Sequence, residues 1–403
     1  MEPDCTLVFD VGKTYVKVII LDDEGEKLEI VNRRNKSIAG DPYLSIDIED
    51  IWQWFITSVS RMSQKYQIDA ISISTHGATA ALVDLESEEL LLPVMDYEFD
   101  NYPQKVSNYK SIRPAYDDSY SPILPAGLNL GKQLYWQLKL LNENKRKRAI
   151  LLFYPNYWAW RLSGKATSEI TSIGCHTDLW NHRKNCFSDL VEELGLLDMI
   201  PERMPANEAI GSIKPDIAKL TGLSDNCQIY PGVHDSNAGY IPYLTRKASL
   251  APTVVSTGTW TIAMSPHTSL DALIEENDML ANINILGKPL STARYMGGRE
   301  FEIICSQTGA SIEDECTEND IEEILLSSVI AIPGFVKGCG PFPYLEGKII
   351  GQCKNGKALA TLYSALMIDQ LLSSLQSKND IVIEGRFANN SILCSLVAGI
   401  RPN

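Results

Sequence analysis

Two short stretches in the middle of this 403-residue chain concentrate side chains that can do chemistry. Gly232-Val233-His234-Asp235-Ser236-Asn237 sets one carboxylate beside a glycine, an imidazole and an amide, and Thr257-Gly258-Thr259-Trp260 places hydroxyls on both sides of a glycine between two β-prone runs. An Asp where a strand gives way to a helix reads first as an N-cap. That explains Asp235 but not the flanking Gly232, His234 and Asn237. A glycine turn bordered by hydroxyls offers backbone N–H and O–H donors suited to phosphate. The same design occurs near the N-terminus, where Asp10-Val11-Gly12-Lys13-Thr14 joins Leu7-Val8-Phe9 to Tyr15-Val16-Lys17-Val18-Ile19-Ile20. Superposing Gly12 on Gly258 aligns an apolar run, a polar residue, a glycine turn and a second apolar run, an echo that suggests two related halves. Two ordinary hairpins are the plainer alternative. Gly12-Lys13-Thr14 is not a Walker P-loop, because Thr6 to Val11 contain no upstream glycine and the segment continues as a strand.

The elements that must hold these residues divide between two domains, since 403 residues exceed one typical core. The composition, 44% hydrophobic and 22% charged, is that of a soluble globular protein, and a net charge of −15 argues against a nucleic-acid or anionic-membrane surface. Met1-Glu2-Pro3-Asp4-Cys5 has no basic region leading into an apolar signal segment and no later run approaches membrane length, so a cytoplasmic protein is expected. Nine cysteines without a CxxC pair fit reduced thiols better than a disulfide frame or a zinc site.

Residues 6–33 read as a three-stranded meander, followed by an amphipathic helix over about 47–65 and a strand from Ala70 to Ser74. That strand delivers Thr75-His76-Gly77 to a loop, where ligands of β/α sheets usually sit, although His76 serves equally as a strand-end cap. Leu91 to Val94 deliver Asp96 to another loop; it suits sugar hydroxyls or a turn. Residues 100–125 look irregular. Helices are expected over 130–142 and 156–162, the second ending at Gly164 with its Trp pair in the core, and Lys145 to Arg148 reads as a solvated basic face. A helix is expected from Ser236 to Tyr240, with the domain boundary near 245. In the second half, Arg294 to Phe301 runs from a strand through a glycine pair into a helix, and Ala358–Leu375 is a long helix. Then Ile381 to Ile383 leads through Glu384-Gly385-Arg386 into a helix from about Ala388, a crossing suited to a nucleotide.

From residue 6 to 401 the chain resembles the FGGY family of carbohydrate kinases, closest to those of rhamnulose and fuculose. Asp10-Val11-Gly12-Lys13-Thr14 resembles the family's first phosphate loop, with Lys17 at its usual basic position. Thr75-His76-Gly77 is similar to its substrate loop and Asp96 to its next acid. Trp160-Arg161-Leu162-Ser163-Gly164 is similar to its RLTG segment, and Gly232-Val233-His234-Asp235-Ser236 to its catalytic Gly-x-x-Asp. Thr257-Gly258-Thr259-Trp260 resembles the second phosphate loop, and Glu384-Gly385 with Asn389 the adenosine motif.

The resemblance implies an α/β fold of two ribonuclease H-like domains, as in actin and Hsp70, closing over a cleft. Residues 1–245 would form the sugar and base domain and 246–403 the nucleotide domain. The family pattern leads one to expect a further strand and helix past Asn403, so an abbreviated second domain is allowed for. The implied reaction is ATP-dependent phosphorylation of the C1 hydroxyl of a ketose, with Asp235 as general base. His76, Gly77, Asp96, His234, Ser236 and Asn237 would bind the sugar. Asp10, Gly12, Lys13, Thr14, Lys17, Thr257, Gly258, Thr259, Gly385, Arg386 and Asn389 would serve ATP, with Asp10 orienting Mg²⁺ through water. Arg386 stands where many members have a second glycine, and Lys13 where they have a small residue. Arg386 and the abbreviated second domain keep open a rival, a catalytically weak sugar or nucleotide sensor. A chaperone-like or cytoskeletal ATPase fits less well, given the polar residues at the expected cleft. Partners are expected to be a small sugar and ATP, without nucleic acid or membrane; a homodimer is compatible with the sequence.

Overall fold

The protein was analysed as a computed structural model that describes residues 5–244 and 251–402. Two compact units emerge, Met1–Ile241 with Ile283–Gly287, and Pro242–Asn282 with Lys288–Asn403. The boundary expected at 245/246 lies outside the described residues.

In the first unit the meander is Cys5–Val11, Tyr15–Leu21 and Lys27–Arg34, paired antiparallel. Strand Ile68–Thr75 joins the other edge of Cys5–Val11 in parallel, and Gln228–Ile229 and Val233–His234 pair parallel to it in turn. Alternation along Cys5–Val11 sends Leu7, Phe9 and Val11 into the core. There they meet the apolar stripe of helix Ile48–Met62, whose Ile48, Ile51, Trp52, Phe55, Val59 and Met62 are buried. Asp47 caps this helix by accepting from the Asp50 N–H at 3.1 Å. Helix Tyr154–Ser163 closes the same core with Trp158 and ends at a left-handed Gly164, φ 72°. The Phe9 ring lies 4.3 Å from Phe55 and 5.3 Å, edge-on, from Trp158.

The second unit repeats the plan. Thr253–Thr257 and Thr261–Ser265 form an antiparallel hairpin about Gly258, Pro289–Tyr295 extends it, and Ile381–Gly385 pairs parallel to Thr253–Thr257 on the other edge. The sheet is completed by Leu280–Ile283. Helix Gly356–Ser374 is apolar on several faces because it packs against helices Gly297–Gln307 and Ser391–Ile400 and against the sheet.

Several local expectations need correction. Residues 100–125 are not wholly irregular: a 3-10 stretch covers Gln104–Ser111 and a short helix Tyr116–Ser119. The apolar run Ala149–Phe153, overlooked beside its basic neighbours, is a buried strand paired with Ala80–Asp84 outside the main sheet. The helix at Ser236 begins one residue earlier and runs to Leu244. After Gly385 a 3-10 turn, Arg386–Asn389, precedes helix Ser391–Ile400, whose N-cap Asn390 accepts from the Leu393 N–H. Among the described residues no cysteine is paired in a disulfide and no helix is long and apolar enough to cross a membrane.

Phe9→Ala removes a fully buried ring from the aromatic contact and should destabilise the first unit by about 3–5 kcal/mol. Urea unfolding followed by tryptophan fluorescence measures this; a loss below about 1 kcal/mol would show that Phe9 does not anchor the core.

Candidate active site

In the first unit, parallel pairing sets His234 level with Thr75, and the His76 N–H donates to the Val11 carbonyl at 3.1 Å. The ends of three strands therefore deliver Asp10, His76 and Asp235 to one edge. Gly232 makes the approach to Asp235 possible. Its φ is +81°, and a Cβ there would lie 2.9 Å from side-chain atoms of Ile73 and Pro155.

Asp235 opens helix Asp235–Leu244. Its Oδ1 accepts from the Ser236 N–H at 2.7 Å and lies 3.2 Å from His234 Nε2. Its side chain is 39% exposed, yet the protein around it desolvates the carboxylate enough to push its pKa up to about 6. His76 tempers that rise, Asp10 adds to it by like-charge repulsion, and the hydrogen bonds from Ser236 oppose it.

His76 is buried, and burial holds its imidazole below the usual range. Its Nδ1 lies 3.0 Å from the Gly77 carbonyl, which requires the proton on Nδ1. Nε2 is then a buried lone pair with no partner among the described residues. Gly77 faces His234, and a Cβ on it would stand 3.0 Å from Nε2 of that ring. Burial drives the His234 imidazole down to about 4, so it is neutral near pH 7.

The first glycine loop differs from expectation in two respects. The Gly12 N–H closes the turn onto the Tyr15 carbonyl at 3.0 Å, so among the described residues the loop's uncommitted backbone donors are those of Lys13 and Thr14. The Lys13 ammonium binds the Asp96 carboxylate, Glu98 Oε2 at 3.2 Å and Ser37 Oγ at 3.4 Å, and lies 5.1 Å from the Tyr97 ring centre. Ser37 Oγ also donates to Asp96, and the Glu98 N–H reaches its Oδ1 at 2.8 Å. Burial alone would raise the Asp96 carboxyl, but these bonds outweigh it and hold the group below its usual 3.8. Lys17 does stay with the loop, its Nζ 2.7 Å from Asp10 Oδ2.

In the second unit, Thr257 Oγ1 donates to the Glu384 carbonyl at 2.5 Å and accepts from the Phe387 N–H at 2.8 Å. The one proton of this hydroxyl is spent on holding the Gly385 turn and is not offered to phosphate. Gly258 N–H bonds the Trp260 carbonyl at 2.8 Å, which leaves Thr259 as the outward donor of the hairpin. A Cβ on Gly298 would lie 2.3 Å from the Gly258 carbonyl, so the N-terminal end of helix Gly297–Gln307 rests directly on the hairpin. Beside it a cavity of about 410 Å³ is lined by Gly298, Phe301, Glu302, Arg386, Phe387 and Asn389, among others. Gly385 adopts φ +79°, and Arg386 turns outward to 3.7 Å from Glu302.

Sequence reasoning missed Ser37, Glu98, Glu302 and the pair Glu169 and Thr171. Ser37 and Glu98 lie outside any motif. Glu169 and Thr171 carried a usable signal, an acid two residues before a threonine at a helix start: Glu169 is the N-cap of Ile170–Ile173.

The sequence model of the FGGY family of carbohydrate kinases, N-terminal domain, matches residues 5–241, and that of the carbohydrate kinase FGGY C-terminal domain matches 249–403. An L-fuculokinase of Salmonella typhi is 26% identical over 66% of this chain and 57% of its own length. A xylulose kinase of Bacillus subtilis is 24% identical over 84% of this chain and 67% of its own length. The chain thus spans little more than half of that fuculokinase. The crystal structure of a carbohydrate kinase from Novosphingobium aromaticivorans superposes with a TM-score of 0.89 at 34% identity, covering 100% of this chain and 88% of that one. The mixed α/β fold is accordingly the two-domain fold of sugar kinases and actin/Hsp70-like ATPases.

Lys13→Met leaves Asp96 buried without its cation and should lower the melting temperature at neutral pH. A carboxyl held low by a partner stabilises the fold above its unfolded pKa, and that contribution is lost as pH falls through the folded value. The gap between wild type and variant should therefore be full at neutral pH and shrink below about pH 4; a gap independent of pH would show that the ion pair does not brace this loop.

Proposed function

Because the chain belongs to the FGGY family of carbohydrate kinases, we propose that it transfers the terminal phosphoryl group of ATP to a sugar hydroxyl, with Asp235 as the general base. The acceptor proposed is the C1 hydroxyl of a ketose, such as a 6-deoxy ketohexose, in keeping with relatives named for fuculose and xylulose. Residues 1–245 would hold the sugar and 246–403 the nucleotide. The observation that carries this reading is the Asp235 carboxylate: Oδ1 accepts from the Ser236 N–H, Oδ2 has no hydrogen bond among the described residues, and the pKa is lifted to about 6. Such a group is ionised at working pH and still basic enough to take a hydroxyl proton.

Phosphoryl transfer needs alignment, charge neutralisation and a proton acceptor. Oδ2 of Asp235 takes the proton. Nε2 of His76, a lone pair, accepts a hydrogen bond from a neighbouring sugar hydroxyl, while Gly77 leaves room for it. Asp96, ionised and braced by Lys13, keeps the acceptor loop in place. The N–H groups of Lys13 and Thr14 with Lys17 would contact phosphate oxygens in the first unit, and Thr259 would do so in the second. The cavity beside Arg386 and Asn389 would take the nucleoside.

Among the described residues no group of three or more His, Cys, Asp or Glu could hold a metal on its own. Mg²⁺ does not require one, since it keeps waters and takes one or two carboxylates plus phosphates. Asp10 fits that part: its side chain is 18% exposed and it lies near enough to Asp235 to raise that carboxyl. When bound, the ion would neutralise phosphate charge.

Asp235→Asn should cut turnover by about 10²–10⁴-fold with sugar binding near normal, read by ADP release over a panel of ketoses. Binding of every sugar without turnover in the wild type would instead favour a sensor. In the wild type kcat/KM should fall as pH drops through about 6, and a rate that holds level well below that value would remove Asp235 as the base. A carboxyl raised in the folded state loses stability as pH rises from its usual 3.8 to about 6. The variant should therefore melt above the wild type at about pH 8, with the gap closing in acid.

A further inference from the structure

The first unit holds a second opening away from the strand ends. A cavity of about 260 Å³ lies between the 3-10 stretch Gln104–Ser111 and the loop that leads into helix Leu130–Leu140. Its walls are apolar and aromatic, from Tyr102, Val106, Tyr109, Ile123 and Leu124, and its charged part is cationic, from Lys110, Arg113 and Lys132. We propose that this cavity binds a small organic anion, a carboxylate or phosphate ester carried on an apolar body the size of a single ring. Asp10, His76, Asp96 and Asp235 are not among the described residues that line it, so the inference stands apart from the role of Asp235.

The charge balance is what calls for an anion. The chain carries a net charge of −15, yet none of the described residues lining the cavity is an acid. The Arg113 guanidinium is answered from beneath, where it donates to Asp178 Oδ1 at 3.1 Å and to the Ser121 carbonyl. Lys132 has no such answer. It is half buried, and burial together with the Lys110 charge holds its ammonium below the usual range, with no carboxylate offsetting them. A loose surface lysine would relieve that repulsion by swinging into water. Lys132 is instead tied down: its Nζ donates to the Ala126 carbonyl at 2.8 Å and lies 4.1 Å from the centre of the Tyr102 ring. One of its three N–H groups is spent on that carbonyl, which leaves donors for a guest.

The walls are fixed before any guest arrives. The Tyr109 hydroxyl donates to Asp178 Oδ2 at 2.5 Å. The Asn129 amide donates to Ser121 Oγ and to the Pro122 carbonyl, both at 3.0 Å, and its Oδ1 accepts from the Leu124 N–H at 2.8 Å. Tyr109, Asn129 and Asp178 are all buried, so water does not compete for these bonds. Rigid walls with a placed cation lower the ordering cost of binding. The volume falls below that of pockets for drug-sized ligands, which limits the guest to one ring or a short branched chain.

Methyl spectra of protein labelled at the isoleucine δ1 carbons test this by position. Ile123 is 59% exposed, and the signal missing from Ile123→Val is its own. Benzoate or phenyl phosphate should move that signal with a Kd on the order of 1 mM for a guest of about ten atoms, and the tighter of the two identifies the head group. Neutral benzamide should bind about tenfold more weakly than benzoate. Lys132→Met should weaken the tighter anion by about tenfold, but it also removes the bond to Ala126. Lys110→Gln, at an exposed residue, leaves the wall undisturbed and should weaken the same anion by about threefold. Benzamide equal to benzoate, inorganic phosphate equal to phenyl phosphate, an Ile123 signal that neither anion moves, or unchanged affinity in both lysine variants would each overturn the proposal.

Discussion

The edge of the first unit that carries Asp10, His76 and Asp235 depends on the register of strand Ile68–Thr75. It is paired in parallel on both sides, with Val11 opposite Thr75 on one flank and His234 opposite Thr75 on the other. Parallel strands end on the same edge of a sheet, so the loops that follow Val11, Thr75 and His234 must meet. Side chains alternate along each strand, and a slip of one residue would turn Phe9 and Ile73 outward while carrying His234 away from Gly77. The buried core under the sheet makes that slip prohibitive. In the second unit Thr257 stands opposite Gly385 for the same reason, and the hairpin and the turn after Ile381–Gly385 come together there.

Much of this was legible. Gly12 and Gly258 each sit between two runs of apolar, β-branched residues, and such a pattern has few folds open to it. The apolar spacing from Ile48 to Met62 marks its helix without ambiguity, and Gly232 and Asp235 announce a strand-to-helix junction. What the sequence withheld was direction. Lys13 lies in a phosphate-like loop by position, but a flexible ammonium goes to whichever carboxylate burial makes most demanding, and Asp96 at 1% exposure is that group. Thr257 misled in the opposite way. Its hydroxyl flanks a glycine as a phosphate ligand would, yet the carbonyl of Glu384 and the N–H of Phe387, distant in sequence, claim it. Ala149–Phe153 was missed because a short apolar run has no period of its own and its basic neighbours dominate the window.

Polar groups in the two units fall into two sorts. Arg294 and Asp278 meet through two bonds of 3.2 and 3.0 Å, Asp278 also accepts from the Gly340 N–H, and Trp260 lies across the guanidinium. Each partner there answers another, and the result is structural. Asp235, His76 and Asn237 are arranged differently, for among the described residues each has one atom bound and another left over: Oδ2, Nε2 and Oδ1. Desolvation without full compensation raises the free energy of the folded protein, and it also leaves those atoms able to take a donor.

The two hairpin glycines illustrate how fold and chemistry can be told apart within one motif. A methyl group on Gly12 would press to 2.9 Å from the Tyr15 carbonyl, whereas on Gly258 its nearest contact would be the Trp260 carbonyl at 3.9 Å. The first glycine is demanded by the polypeptide itself. The second is not, and the room beside it faces outward. A library of variants screened for solubility or expression would thus discard alanine at the first position and retain it unnoticed at the second.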